Sequence, residues 1–284
     1  MFYTIENDFL TAQINDAGAE LHSLVRKSDG FEYIWQGDPA VWYGQAPVLF
    51  PIIGRLLDDK YRYNGTEYAM QKHGFARKRT FEVVSCARNE AVFLLQSDDA
   101  TRACYPFEFE LYVKFELLGK TLRATHTVVN RTDGEMYFSV GGHPAFNCAI
   151  GDTLSFDKPE TLSTQTIDED SIRLAETTPV LENECDIVIT KDLFLLDALI
   201  LSGIRSSAVT LRHADNAHAV RFTFGDVPYL GIWAKPGAPY VCIEPWCGVN
   251  DDRRVRADLS EKDAIQRLPQ GGIFDLVYSV EVLE

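Results

Sequence analysis

The sequence predicts an all-β protein, a large antiparallel β-sandwich, on three observations. Apolar and polar residues alternate in run after run, Gly, Asn and Asp clusters separate the runs, and only one short segment carries a helical signature. The plainest run is FEFELYVKFEL, residues 107–117, with apolar side chains at every odd position and Glu108, Glu110, Lys114 and Glu116 between them. Successive side chains of a strand point to opposite faces, so this run predicts a strand with one buried face. Gly119-Lys120 follows, and alternation resumes through Leu122, Ala124 and Val128, which predicts an antiparallel hairpin. TFEVVSCA, AVFLLQS, EMYFSV, AVTLRHA, AVRFTFG and FDLVYSVEVL read as further strands. SEKDAIQRL, residues 260–268, is the one expected helix, with Ser260 and Asp263 fitting a capping pattern and Pro269 as a stop. No repeat, proline-rich linker or shift in composition divides the 284 residues, so one domain spanning 1–284 is expected.

Composition narrows the partners. The chain carries 42 Asp and Glu against 27 Lys and Arg, a net charge of −15 that repels polyphosphate backbones and anionic lipid surfaces. No nucleic acid and no membrane are therefore expected as partners. The opening MFYTIENDFL lacks a basic segment followed by an apolar core, and the most apolar stretch, LFLLDALIL, is short and interrupted by Asp197; a cytoplasmic location is expected. The six cysteines are scattered and expected to be reduced. Cys242 with Cys247, or His213 with His218, supply only isolated pairs of metal ligands, so no metal site is expected.

Four blocks break the alternation with polar residues beside Gly or Pro: FPIIGRLL around Arg55, QKHGFARK around His73, GGHPAFNC around His143 and CIEPWCG around Glu244. Glycines allow backbone shapes that a Cβ forbids, and Pro144 biases His143 towards an extended conformation, so this imidazole is expected to be aimed. Glu244 stands in an apolar run, YVCIEPW, where a buried carboxylate is costly unless it is paired or kept for chemistry. Structural readings compete: His143 as a turn-stabilising group, Arg55 as a bridge to a carboxylate, and the tryptophans as core. His126, on the apolar face of its strand, reads as a core histidine with satisfied ring nitrogens. His22, His213 and His218 read as surface or packing residues. Trp246, next to Glu244, is the tryptophan expected to wall a cleft.

These four blocks in this order, with GAELHSL at 18–24, resemble the aldose 1-epimerase (galactose mutarotase) superfamily, and most closely its LacX-like branch. The resemblance covers nearly the whole chain. It implies a β-supersandwich that binds a small-molecule sugar in an open cleft and interconverts the α and β anomers of a free hexose or related sugar, without a cofactor. Carried over by motif, it implies His143 as general acid and Glu244 as general base. It further implies that His73, Arg55 and Asp197 contact the substrate. The motif around Asp197 departs from the aromatic-rich surroundings found in the mutarotases.

The chemistry is legible beside the family. Exchanging anomers requires removing the proton of the C1 hydroxyl while protonating the ring oxygen, and a carboxylate with an imidazolium suffices, their ordinary pKa values straddling slightly acidic to neutral pH. Two alternatives remain open. Arg77 and Arg79 follow His73 closely, as a hexose-6-phosphate 1-epimerase would use. A non-catalytic carbohydrate-binding or regulatory protein would keep the cleft without needing an acid and a base. The oligomeric state is not legible.

Overall fold

A computed structural model of the protein describes residues 1–283. Two antiparallel sheets face each other. The larger runs, in spatial order, through Arg173–Val188, Thr153–Ile167, Ala208–Arg212, Ala219–Thr223, Ile273–Leu283, Thr121–Asn130, Phe109–Leu118, Glu90–Gln96 and Glu82–Cys86. The second orders Leu199–Ser202, Tyr229–Trp233, Tyr240–Cys247, Val140–Gly142 and Val48–Leu49, with Ala145–Asn147 also paired to Tyr240–Cys247. A further antiparallel sheet joins Phe2–Glu6, Leu10–Asn15 and Glu20–Arg26.

The alternating runs form the strands they predict. Phe109–Leu118 and Thr121–Asn130 pair in continuous register from Thr121↔Leu118 to Asn130↔Phe109, and Gly119 takes a φ of 59° at the turn. The odd-numbered side chains Phe109, Leu111, Val113, Phe115 and Leu117 are buried and the even ones look outward. The sheets meet through aromatic contacts such as Phe146 against Phe222, with ring centroids 5.8 Å apart. Among the described residues, no helix is long and apolar enough to cross a membrane.

The structure departs from the sequence reading in three places. The segment 260–268 is not a helix. A single 3₁₀ turn covers Leu259–Glu261, capped by Asp258 rather than Ser260, and Gln266–Leu268 is a strand paired with Met136–Phe138. Ala264 takes a φ of 53°, a left-handed conformation that breaks a helical run. The buried Lys262 turns inward to Asp251. Second, the long hairpin of Thr153–Ile167 and Arg173–Val188 has no clean alternation in the sequence, because its pairing shifts register four times and much of it is exposed on both faces. Third, His126 is in the core, fully buried and edge-on to Tyr278 at 5.6 Å, but neither ring nitrogen makes a hydrogen bond of normal geometry. Burial pushes its pKa down to about 4, the Gly141 backbone opposing this.

Candidate active site

The strand Tyr240–Cys247 is the spine of the site. Glu244 and Trp246 are two residues apart and share one face, where they line a cavity of ≈210 Å³. His143 enters this cavity from the neighbouring Val140–Gly142, which pairs Gly141 with Trp246. His73, Asp197, Trp42, Trp233, Lys72 and Arg77 complete most of its lining.

The two glycines before His143 serve a purpose other than unusual dihedrals. Neither has a positive φ; what matters is space. A Cβ on Gly142 would lie 2.7 Å from Cε1 of Tyr278, and one on Gly141 would lie 2.9 Å from Cδ1 of Ile53 and 3.0 Å from the Pro245 carbonyl oxygen. Only glycine lets this strand settle against the core at the depth that places the imidazole over Glu244.

His143 Nε2 lies 3.1 Å from Oε2 of Glu244, with the carboxylate 1% exposed. The Trp246 indole N–H donates to the same oxygen at 3.1 Å. Trp246 is thus buried beneath the carboxylate and holds it, and it also lines the cavity as the sequence suggested. Burial pushes the Glu244 carboxyl well above the usual range, with the Trp246 bond pulling the other way, and burial pushes His143 down to about 3. Desolvation disfavours each charged form. Burial thus favours the uncharged form of each, an imidazole facing a carboxylic acid.

His73 has a left-handed backbone, φ 64°, and its Nδ1 accepts a hydrogen bond from the Gly54 N–H at 3.1 Å. Burial, with the positive charge of Lys72 next, holds its pKa well below 6.5. A neutral ring that accepts at Nδ1 carries its proton on Nε2, so His73 is a hydrogen-bond donor of fixed tautomer. Its ring stands perpendicular to that of His143, centroids 5.7 Å apart. Asp197, also left-handed at φ 73°, reaches the cavity rim.

Arg55 is placed elsewhere. Its guanidinium makes two 2.8 Å bonds to the carboxylate of Asp59 and a 3.4 Å bond to the Asp170 carbonyl, and it does not line the cavity. Arg77 is the arginine that does. It donates to the Lys72 carbonyl at 2.7 Å, and among the described residues no carboxylate pairs with it. Arg79 turns away to Asp98. Trp42 and Trp233, read as core, instead stand at 5.4 and 5.9 Å from the His143 ring and wall the cavity. Trp233 was recoverable by strand parity, since it pairs with Cys242 on the Glu244 face. Trp42 comes from an irregular loop, and no local pattern marks it.

A larger cleft, ≈770 Å³, lies elsewhere, between Leu56–Glu67 and the 251–263 segment. Its interior charges are already matched, Arg173 to Asp263 at 2.8 Å and Lys262 to Asp251 at 2.5 Å, and no histidine lines it. Beside the smaller cavity the fold departs from the expectation of isolated ligand pairs: ligand atoms of His143, Cys242 and Glu244 all lie within 4.8 Å of one another.

The profile of the aldose 1-epimerase family matches residues 1–258. The plasmid LacX protein of Lactococcus lactis subsp. lactis is 32% identical, over 94% of this chain and 95% of its own length. A galactose mutarotase related enzyme from Lactobacillus acidophilus superimposes with a TM-score of 0.95 at 35% identity, covering 100% of this chain and 98% of that one. A galactose mutarotase-like protein from Lactobacillus casei superimposes at 0.94 with 32% identity and full coverage of both chains. A match of this extent, on a two-sheet fold with these motif blocks around one cavity, has one meaning: the chain belongs to the aldose 1-epimerase family.

Proposed function

We propose that the protein is a mutarotase that interconverts the anomers of a free hexose or a related sugar, with His143 and Glu244 as its proton-transfer pair. The observation that carries this reading is the 3.1 Å contact between His143 Nε2 and Glu244 Oε2 inside a cavity of sugar-compatible size. Ring opening takes the C1 hydroxyl proton onto Glu244 while His143 gives one to the ring oxygen. The pair enters as imidazolium and carboxylate and leaves as imidazole and carboxylic acid. After rotation about C1–C2 the same transfers run backwards and close the ring in the other configuration. The two ends of the opening step are thus the two ways of dividing one proton within the pair, and burial favours the uncharged division reached in the open-chain state. Each transfer contributes ~10²–10⁴-fold. His73 Nε2–H and Asp197 hold sugar hydroxyls, while Trp42 and Trp233 offer ring faces to the apolar side of a pyranose.

A second reading is favoured by Arg77 and Lys72. Two cations border the cavity, and Arg77 lacks a carboxylate, which suits a hexose 6-phosphate. The discriminating experiment follows anomer exchange by NMR for free and 6-phosphorylated sugars, with the spontaneous rate subtracted. Acceleration of a free aldose is expected. Acceleration of phosphosugars alone replaces the first reading by the second, and saturable sugar binding with no acceleration of either class overturns both in favour of a binding protein.

A further inference from the structure

Cys242 takes no part in the proton transfers described above, yet it sits directly beneath them. It lies on the same face of its strand as Glu244, two residues before it, and is fully buried. Its Sγ, a ring nitrogen of His143 and a carboxylate oxygen of Glu244 lie within 4.8 Å of one another, and all three residues are buried. Zinc binds imidazole nitrogen and carboxylate oxygen at ~2.0–2.2 Å and thiolate sulfur at ~2.3 Å; tetrahedral angles then set ligand–ligand separations of roughly 3.3–3.7 Å. The observed 3.1 Å between His143 Nε2 and Glu244 Oε2 is close to that spacing, and with all three ligand atoms within 4.8 Å of one another, coordination asks them to draw together by ~1–1.5 Å at most. His143 and Glu244 both line the cavity, which leaves a fourth position for an exchangeable ligand, the arrangement of a site with three protein ligands and one exchangeable one.

We propose that His143, Cys242 and Glu244 form a site for a borderline-soft divalent cation of the zinc type, which blocks the acid and base when bound. Coordination replaces the thiol S–H bond of Cys242 by a sulfur–metal bond, and the proton leaves to solvent together with the one shared by His143 and Glu244. A soft thiolate beside an imidazole selects zinc over magnesium or calcium, which prefer oxygen-only sets. Metal binding itself is independent of the mutarotase reading; only the inhibition rests on it.

The test titrates the chelator-treated protein with Co²⁺ as a visible substitute for zinc, and separately with Zn²⁺ by calorimetry. A thiolate-to-cobalt absorption band in the near ultraviolet is expected. It should be absent in Cys242→Ser, which should also bind Zn²⁺ at least tenfold more weakly while retaining the anomer-exchange rate. Zinc should inhibit the parent in competition with sugar, and magnesium should not. If Cys242→Ser does not fold, Cys242→Ala serves, with Cys86→Ser as a control for the exposed thiol. The proposal is overturned if the parent shows no cobalt–thiolate band, or if removing the Cys242 thiol leaves zinc affinity unchanged. Failure of the mutarotase reading would instead appear as a cobalt band in a protein that accelerates no sugar.

Discussion

His143 Nε2 and the Trp246 indole N–H converge on a single oxygen, Oε2 of Glu244, each at 3.1 Å. Among the described residues nothing bonds the other carboxylate oxygen, so Oε1 is the one available to a sugar hydroxyl. On the proposed mechanism, one oxygen is held in place and the other receives the C1 hydroxyl proton.

Removing either member of the pair tests it as a unit. Glu244→Gln and His143→Asn should each lower turnover at least ~10²-fold, and the double variant should lose far less than the product of the two. Thermal unfolding is the control: melting well below the parent would mark the residue as structural.

The pH profile should be bell-shaped, because the active enzyme holds one proton on the pair and loses activity when it takes up a second or gives up the first. With His143 depressed to about 3 and Glu244 raised well above its ordinary range, both by burial, the acidic limb reports the imidazole and the alkaline limb the carboxyl. This reverses the order that ordinary pKa values suggest. The profile should be measured with a chelator present, and a narrow bell with both limbs at ordinary histidine and glutamate values would contradict the inversion.

Trp246→Phe keeps the ring and removes the N–H that stabilises the charged carboxylate. Losing that bond raises the Glu244 pKa further, so the alkaline limb should move to higher pH, with turnover down about tenfold, the size of one charge-assisted hydrogen bond. An unchanged profile with lower turnover would mean that the indole only fills space.

Gly142→Ala brings a Cβ to 2.7 Å from the Tyr278 ring, with both partners in the core. Overpacking of this kind costs ~1–3 kcal/mol, and the strand that relieves it is the one carrying His143. Activity should therefore fall by more than stability predicts. The comparison is turnover at a temperature where the variant remains fully folded.

His126 makes the fold acid-sensitive. Its folded pKa, about 4, is below the ordinary 6.5, so its contribution is complete above pH 6.5. That contribution is lost progressively as pH falls to about 4, where the folded form also takes up the proton. The gap is worth about 3 kcal/mol. His126→Leu should flatten the stability-versus-pH slope in this window by up to ~1.4 kcal/mol per pH unit, read from denaturant unfolding at several pH values. An unchanged slope would place the acid sensitivity in other groups.

Strand alternation made most of the larger sheet legible, because a one-sided burial pattern leaves a period of two. The motif CIEPWCG drew attention to Glu244 and to Trp246 beside it, and the strand Tyr240–Cys247 puts both on the cavity. The hairpin 153–188 escaped because it is wet on both sides and slips register, which erases the period. Arg55 and Arg77 show a different limit. Both stand in motif blocks, and what separates them is that Asp59, four residues on, captures Arg55 while Arg77 turns towards Lys72. Trp42 was hidden because an irregular loop has no parity to read. The missing helix at 260–268 failed at Ala264, whose left-handed backbone no residue-type preference foretells.

Ile273–Leu283 is clasped between Thr121–Asn130 and Ala219–Thr223, segments made long before it. Without it each neighbour presents an open edge, a pair of templates for wrong partners until this strand slots between them. Tyr278 lies on that strand and is the surface on which Gly142 comes to rest. The aim of the imidazole therefore waits on a strand distant in sequence: the chain can hold every residue of the cavity and still leave His143 unplaced until Ile273–Leu283 has docked.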